Sequence, residues 1–251
     1  AADDATRISA LGLARERIKV TGNIKFDASV DATEQSLTAE LRARFNFGDE
    51  RRLIVAASTH APEERIVIEA FKETRNDSST RSPRLLIAPR HPERFADTAA
   101  MLNYFGLKWA RRSAVPDESD AVCDVILLDS IGELRAVYPL AEIVFVGGSI
   151  APVGGHNVLE PAAAGKCIIT GAHTRNFAAI MRVFREADAL IELPPFVEAE
   201  AVGMLSTAFK ELLWNKTRRA SLAAHALQLI EQNRGATART VELLEELLQE
   251  T

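Results

Sequence analysis

The chain is poor in the residues that would mark a disulfide scaffold, a metal centre or a membrane anchor. Only two cysteines occur in 251 residues, Cys123 and Cys167, both beside apolar runs. Two cysteines so placed exclude a disulfide framework and any paired-ligand zinc site, and they read as reduced core thiols of a cytosolic protein. No apolar run approaches the ~18 residues of a membrane helix, and no signal peptide opens the chain. Positive charge is not in excess: 30 Lys and Arg against 35 Asp and Glu leave a net charge of −5. That balance argues against a nucleic-acid partner. The Gly-Lys-Ser/Thr of a P-loop and the G-x-G-x-x-G of dinucleotide folds are both missing. So are an Asp-x-Asp segment at a strand end, a Gly-x-Ser-x-Gly elbow and a His/Glu zinc cluster. No residue stands out as a nucleophile or general base, and no metal or cofactor is called for.

What is present is ordinary globular composition, 47% hydrophobic and 26% charged, enough for one large domain or two small ones. The chain starts without methionine inside a helix-like stretch (2–11), and is expected to be a fragment or a processed product. Residues 17–22 predict a short strand, 28–36 a polar linker, and 37–45 a helix with Thr38 as candidate cap. Strand–helix units follow. Strands are expected at 53–57, 84–88, 107–111 (an edge strand), 125–128, 142–146, 167–170 and 189–193. Helices are expected from Pro62 to about 72, over 95–105, after Gly132, at 158–164, to about 186, and over 197–213, 216–232 and 236–248. A polar loop is expected at 76–83. Strands alternating with helices predict an α/β fold, a Rossmann-like parallel sheet with helices on both faces.

In such folds ligands bind beyond the carboxyl ends of the strands. There the sequence places Ser58-Thr59-His60, Arg90-His91, Asp129-Ser130 and a glycine-rich loop. The loop, GGSIAPVGGHNVLEP from Gly147 to Pro161, joins a strand to a helix. Gly147, Gly148, Ser149, Gly154 and Gly155 would let backbone N–H groups approach an anion, aided by the helix dipole. Asn157 and Glu160, three apart, are either a capping box or a helix start whose carboxylate accepts from a ribose diol. Arg90, on a loop with two prolines, suits a phosphate or carboxylate; Arg94 also flanks His91. His60 either donates to a phosphate or sugar oxygen or caps the next helix. His156 either faces the ligand or is structural. Glu133 after Gly132 complements a helix dipole. Lys25, taken alone, is a surface lysine.

GNIKFD (22–27), ASTH (57–60), APRHPERF (88–95), DSIGEL (129–134), FVGGSI (145–150) and GGHNVLEPAAAGK (154–166) occur in this order. Together they resemble the bacterial transferases that attach 3-deoxy-D-manno-octulosonic acid (Kdo) to lipid A, over roughly residues 7–245. Ser130 stands where many relatives would have Thr, and a hydroxyl is kept. The resemblance implies the carboxyl-terminal, donor-binding half of a GT-B glycosyltransferase. Residues 1–36 would be a helix, strand and linker of the amino-terminal domain, and 37–251 the nucleotide-sugar domain with its C-terminal helices. It implies CMP-Kdo as donor substrate, transferred with inversion to a lipid A precursor. Lys25, Ser58, His60, Arg90, His91, Ser130, Gly132, Glu133, Gly147, Gly148, Ser149, Gly154, Gly155, Asn157 and Glu160 would line the donor site. The general base, the acceptor site and contact with the cytoplasmic face of the inner membrane would belong to an amino-terminal half outside this sequence. This chain alone would then be soluble and inactive. A nucleotide-sugar epimerase of the same architecture and a non-catalytic sugar-nucleotide-binding module are the alternatives.

Overall fold

Unbroken runs of Leu, Ile, Val and Ala form the inner strands of a seven-stranded parallel sheet, because such strands are covered on both faces and need no polar alternation. The structure, a computed structural model, describes residues 2–27, 32–48, 51–78 and 82–249. The strands are β1 (Leu53–Thr59), β2 (Arg84–Pro89), β3 (Trp109–Arg111), β4 (Val125–Leu127), β5 (Ile143–Val146), β6 (Cys167–Thr170) and β7 (Ile191–Glu192). Their order is β3-β4-β2-β1-β5-β6-β7, every pair parallel. The helices are α1 (Ala2–Ala10), α2 (Ala32–Arg44), α3 (Glu63–Arg75), α4 (Phe95–Tyr104), α5 (Leu134–Val137), α6 (Leu159–Ala163), α7 (Ala178–Glu186), α8 (Glu198–Trp214), α9 (Lys216–Asn233) and α10 (Ala236–Gln249). Connections from β1 run to β2 on one side, while β5 returns to its other side. The β1/β5 boundary is therefore the topological switch point where α/β sheets open a crevice.

The described chain divides into two compact units, Val30–Leu227, and Ala1–Ser29 with Gln228–Thr251. In the larger unit α3 buries Ile66, Val67, Ala70 and Phe71, and α8 buries Leu205, Ala208, Phe209 and Leu212, in one core with the strands. Both cysteines are free and buried there. In the smaller unit Asp27 accepts the backbone N–H groups of Gly235 and Thr237 at the start of α10, each at 2.6 Å.

Three expectations are corrected. Residues 17–22 are not a strand: a 3-10 turn (Arg15–Arg17) precedes an irregular stretch, and a short apolar run cannot hold a strand without a neighbour to pair with. The linker expected at 28–36 ends earlier, since α2 begins at Ala32; the part at 28–31 lies outside the described residues. The boundary expected after residue 36 therefore falls inside α2. Thr38 is not a cap but sits in mid-helix, where its hydroxyl donates to the carbonyls of Glu34 and Ala136. Of the polar loop at 76–83, residues 79–81 also lie outside the described residues.

Candidate functional site

The carboxyl ends of β1, β2 and β4 and the start of α6 enclose a cavity of about 190 Å³. Ser58, Arg90, Ser130, Gly132 and Glu160 line it, with Leu128 and Pro89 beneath. Four segments far apart in sequence thus deliver five of the expected residues to one place. Ser58 holds a left-handed backbone conformation (φ 55°), at a break in register between β1 and β2. Such a conformation costs a non-glycine residue about 1 kcal/mol or more and is concentrated at functional sites. The Ser130 hydroxyl is buried and has no hydrogen-bond partner among the described residues. The Arg90 side chain is exposed and makes no hydrogen bond or ion pair among the described residues. Arg94, by contrast, is held by Glu64 and Asp97.

Three imidazoles gather on the same loops. His60 Nε2 and His156 Nε2 are 2.7 Å apart, and His91 meets His60 edge-on at 5.1 Å between ring centres. One Nε2 must donate and the other accept, so the pair is not doubly protonated. Burial, then His60, Arg90 and His91, push His156 down to about 4; burial, His91 and Arg90 also lower His60. Unfolded His156 takes up its proton near 6.5, the folded residue only near 4. Its contribution to stability is therefore complete above pH 6.5 and lost as pH falls towards 4. Discounted for its partial exposure, the loss is about 1–2 kcal/mol. Urea unfolding at pH 7 and pH 4.5 checks this: a His156→Gln variant is expected to lose less stability than the unaltered chain, and an equal loss would remove the imidazole from the explanation.

The glycine loop differs from expectation. The N–H groups of Gly148, Ser149, Ile150 and Ala151 are not turned towards an open anion site, because Glu63 already holds them. Glu63 Oε2 accepts from the backbone N–H of Gly148 (2.7 Å) and His60 (3.0 Å). Its Oε1 accepts from Ser149 (3.0 Å), Ile150 (2.8 Å) and Ala151 (3.1 Å). Gly147 donates to Ala57, and both Gly154 and Gly155 donate to the Gly148 carbonyl. Here the glycines serve close packing. A Cβ on Gly147 would lie 2.8 Å from Glu63 Oε2 and 2.6 Å from the Ser58 carbonyl; one on Gly154 would strike Asn176. Glu63 escaped sequence reasoning because acids are common in a helix's first turn. The available signal was its stripe: Glu63 shares a face with Val67, Ala70 and Thr74, all buried.

Val158 already has helical φ and ψ (−86°, −12°), and Asn157 caps the helix, its Oδ1 accepting from Leu159 N–H at 3.0 Å; its Nδ2 reaches Glu160 Oε1 at 3.3 Å, a side-chain bond in place of the reciprocal backbone bond of a capping box. Glu160 Oε2 has no partner among the described residues. Glu133 lies at the start of α5 but is ion-paired with Arg112 at 2.8 Å. Asp129 accepts from Ser113 and faces Arg111. Lys25 lies in the smaller unit, exposed on the 3-10 turn Ile24–Asp27. No group of three His, Cys, Asp or Glu among the described residues could hold a metal. A larger cavity, about 500 Å³, lies at the amino ends of the strands. Five of its six cations are already bound to carbonyls, Arg42 to Phe47, Arg51 to Cys123, Arg52 to Leu213, Lys166 to Pro139 and Arg219 to Leu212, while the exposed Lys216 makes no such bond among the described residues. Those five are committed to the chain's own carbonyls rather than open to a ligand.

No protein-family model matches the chain. It is 35% identical to the 3-deoxy-D-manno-octulosonic acid transferase of Haemophilus influenzae over 247 residues, 97% of this chain and 55% of that protein. It is 36% identical to the transferase of the same name from Bordetella pertussis, over 91% of this chain and 51% of that one. The crystal structure of the C-terminal CMP-Kdo binding domain of WaaA from Acinetobacter baumannii superposes with a TM-score of 0.69 at 29% identity, covering 80% of this chain and all of that domain. The chain spans about half the length of the curated relatives it matches. With the parallel sheet and its switch-point cavity, these likenesses assign the chain to the 3-deoxy-D-manno-octulosonic acid transferase family.

Proposed function

We propose that the larger unit is the donor-binding part of an inverting transferase that moves Kdo from CMP-Kdo to a lipid A precursor. The observation that carries this reading is the switch-point cavity lined by Ser58, Arg90, Ser130, Gly132 and Glu160. An uncommitted arginine, an unpartnered hydroxyl and a half-free carboxylate are what a nucleoside monophosphate needs. Arg90 would meet the phosphate, whose charge grows as CMP leaves, so its stabilisation would be stronger in the transition state than in the ground state. Ser58 and Ser130 would donate to phosphate or sugar oxygens. Glu160, by Oε2, would accept from the ribose hydroxyls. The acceptor site and the membrane contact at the inner face are assigned, in this proposal, to the length that the relatives have beyond this chain. An epimerase would need acids free at the sugar, and the Arg112 ion pair on Glu133 disfavours that.

Calorimetry with CMP tests the assignment. Glu160→Gln is expected to weaken CMP binding by about 1–3 kcal/mol, the range for losing a hydrogen bond to a charged group. A folded variant of unchanged affinity would leave Glu160 only its bond to Asn157.

A further inference from the structure

We propose that Glu63 is a built-in anion that shapes the glycine loop, filling the nest of amides where a ligand phosphate would otherwise sit and so positioning His156 and the start of α6. The donor-site part of this statement rests on the function proposed above; the loop part does not.

Five backbone N–H groups converge on one fully buried carboxylate, from two segments, residue 60 and residues 148–151. Successive N–H groups curled about one point form an anion-binding concavity. Every partner is a donor, so the geometry is that of an ionised carboxylate accepting through both oxygens. On balance the Glu63 pKa is raised: burial pushes it up, and the amides of Gly148, His60, Ile150 and Ala151 draw it only part of the way back. The effect is relayed onwards. Gly148 packs on the His156 ring, 2.9 Å from its Cδ2 measured at a built Cβ position, and its carbonyl receives the N–H groups of Gly154 and Gly155. The Ser149 hydroxyl donates to Val146 and accepts from Gly171 N–H, tying the loop to β5 and to the end of β6. Glu63 thus holds the turn that delivers His156, Asn157 and Glu160 to the rim, without touching the rim cavity itself. It is a positioning residue. One consequence is specific: the donor phosphate does not meet the amides of 148–151, which are already taken. It must find its charge partner in Arg90 and its other hydrogen-bond donors among the neighbouring hydroxyls.

NMR on the chain as it stands tests this. Without ligand, the amides of Gly148, Ser149, Ile150 and Ala151 are expected to be protected from exchange. On addition of CMP they are expected to shift less than those of Ser58, Ser130 and Gly132. Open, fast-exchanging amides at 148–151, or the largest CMP-induced shifts there, would overturn the proposal. Glu63→Gln supplies the second arm, because its NH2 would face N–H groups that need an acceptor. With the sheet retained by circular dichroism, the His156 titration is expected to climb from about 4 towards 6.5, as the ring loses its place against His60, His91, Arg90 and Gly148. CMP affinity is expected to fall about tenfold or more. A folded variant with the His156 titration unchanged would overturn the proposal. If the variant does not fold, the amide protection of the unaltered chain decides. If the unaltered chain does not bind CMP, the donor reading fails, while amide protection and the His156 titration still judge Glu63.

Discussion

Mixed with CMP-Kdo and a lipid A precursor, this chain is expected to yield no Kdo-lipid detectable by mass spectrometry. Transfer needs a base within about 2.6–3.2 Å of the acceptor proton, and a positioned base contributes about 10²–10⁴-fold. The carboxylates nearest the rim are committed elsewhere: Asp129 to Ser113 and Arg111, Glu133 to Arg112, and Glu160 in part to Asn157. His156, pushed down to about 4, is a weak base, and in the His60–His156 pair one ring nitrogen is spent on the other. The acceptor proposed above is also a multi-acyl lipid. The net charge of −5 does not favour an anionic surface, and no described helix is long and apolar enough to cross a membrane. Closure of two domains, which expels water and aligns reactants, would in this proposal draw on the length that the relatives have beyond this chain. Turnover comparable to that of an intact family member would contradict the split-site reading and direct the search for a base to His60, His91 and His156.

Gly171→Ala is expected to cost about 3 kcal/mol of stability or more, at the upper end of overpacking effects. A Cβ there would strike the Ser149 carbonyl oxygen and lie 2.5 Å from its carbon and 2.7 Å from Ile150 N, all backbone atoms. Relief requires moving the segment whose amides Glu63 holds, so the clash cannot be absorbed by a flexible side chain. Gly203 is the control. It lies within α8 with nothing within 4 Å of its built Cβ. Gly203→Ala is expected to gain about 0.5–1 kcal/mol, since alanine loses less freedom in a helix. Urea unfolding of the two variants compares them directly. A Gly171→Ala midpoint equal to the unaltered chain would mean that the loop yields easily.

The inner sheet was legible because Ile54–Ala57, Leu85–Ala88, Val125–Leu128 and Ile143–Val146 are apolar without alternation. Buried parallel strands need nothing else. The rim was legible too, since Ser58, Arg90, Ser130 and the glycine loop each follow such a strand. The inside of the loop was not. Its glycines look alike whether they approach a phosphate or leave room for a side chain, and the side chain in question, Glu63, lies some 85 residues upstream. Local pattern cannot report a partner that distant. Residues 17–22 failed for the opposite reason: β-branched residues suggested a strand, but a strand exists only where another can pair with it. The early start of α2 was hidden by its polar first turns, since an exposed helix face and a linker have the same composition.

The central claim is that the switch-point cavity takes the donor nucleotide. A crystal structure of the chain soaked with CMP tests it most directly. The account predicts the phosphate beside Arg90, the ribose hydroxyls within hydrogen-bond distance of Glu160, and the amides of 148–151 still on Glu63. CMP bound in the cation-lined cavity at the amino ends of the strands, or seated on the 148–151 amides with Glu63 displaced, would contradict it.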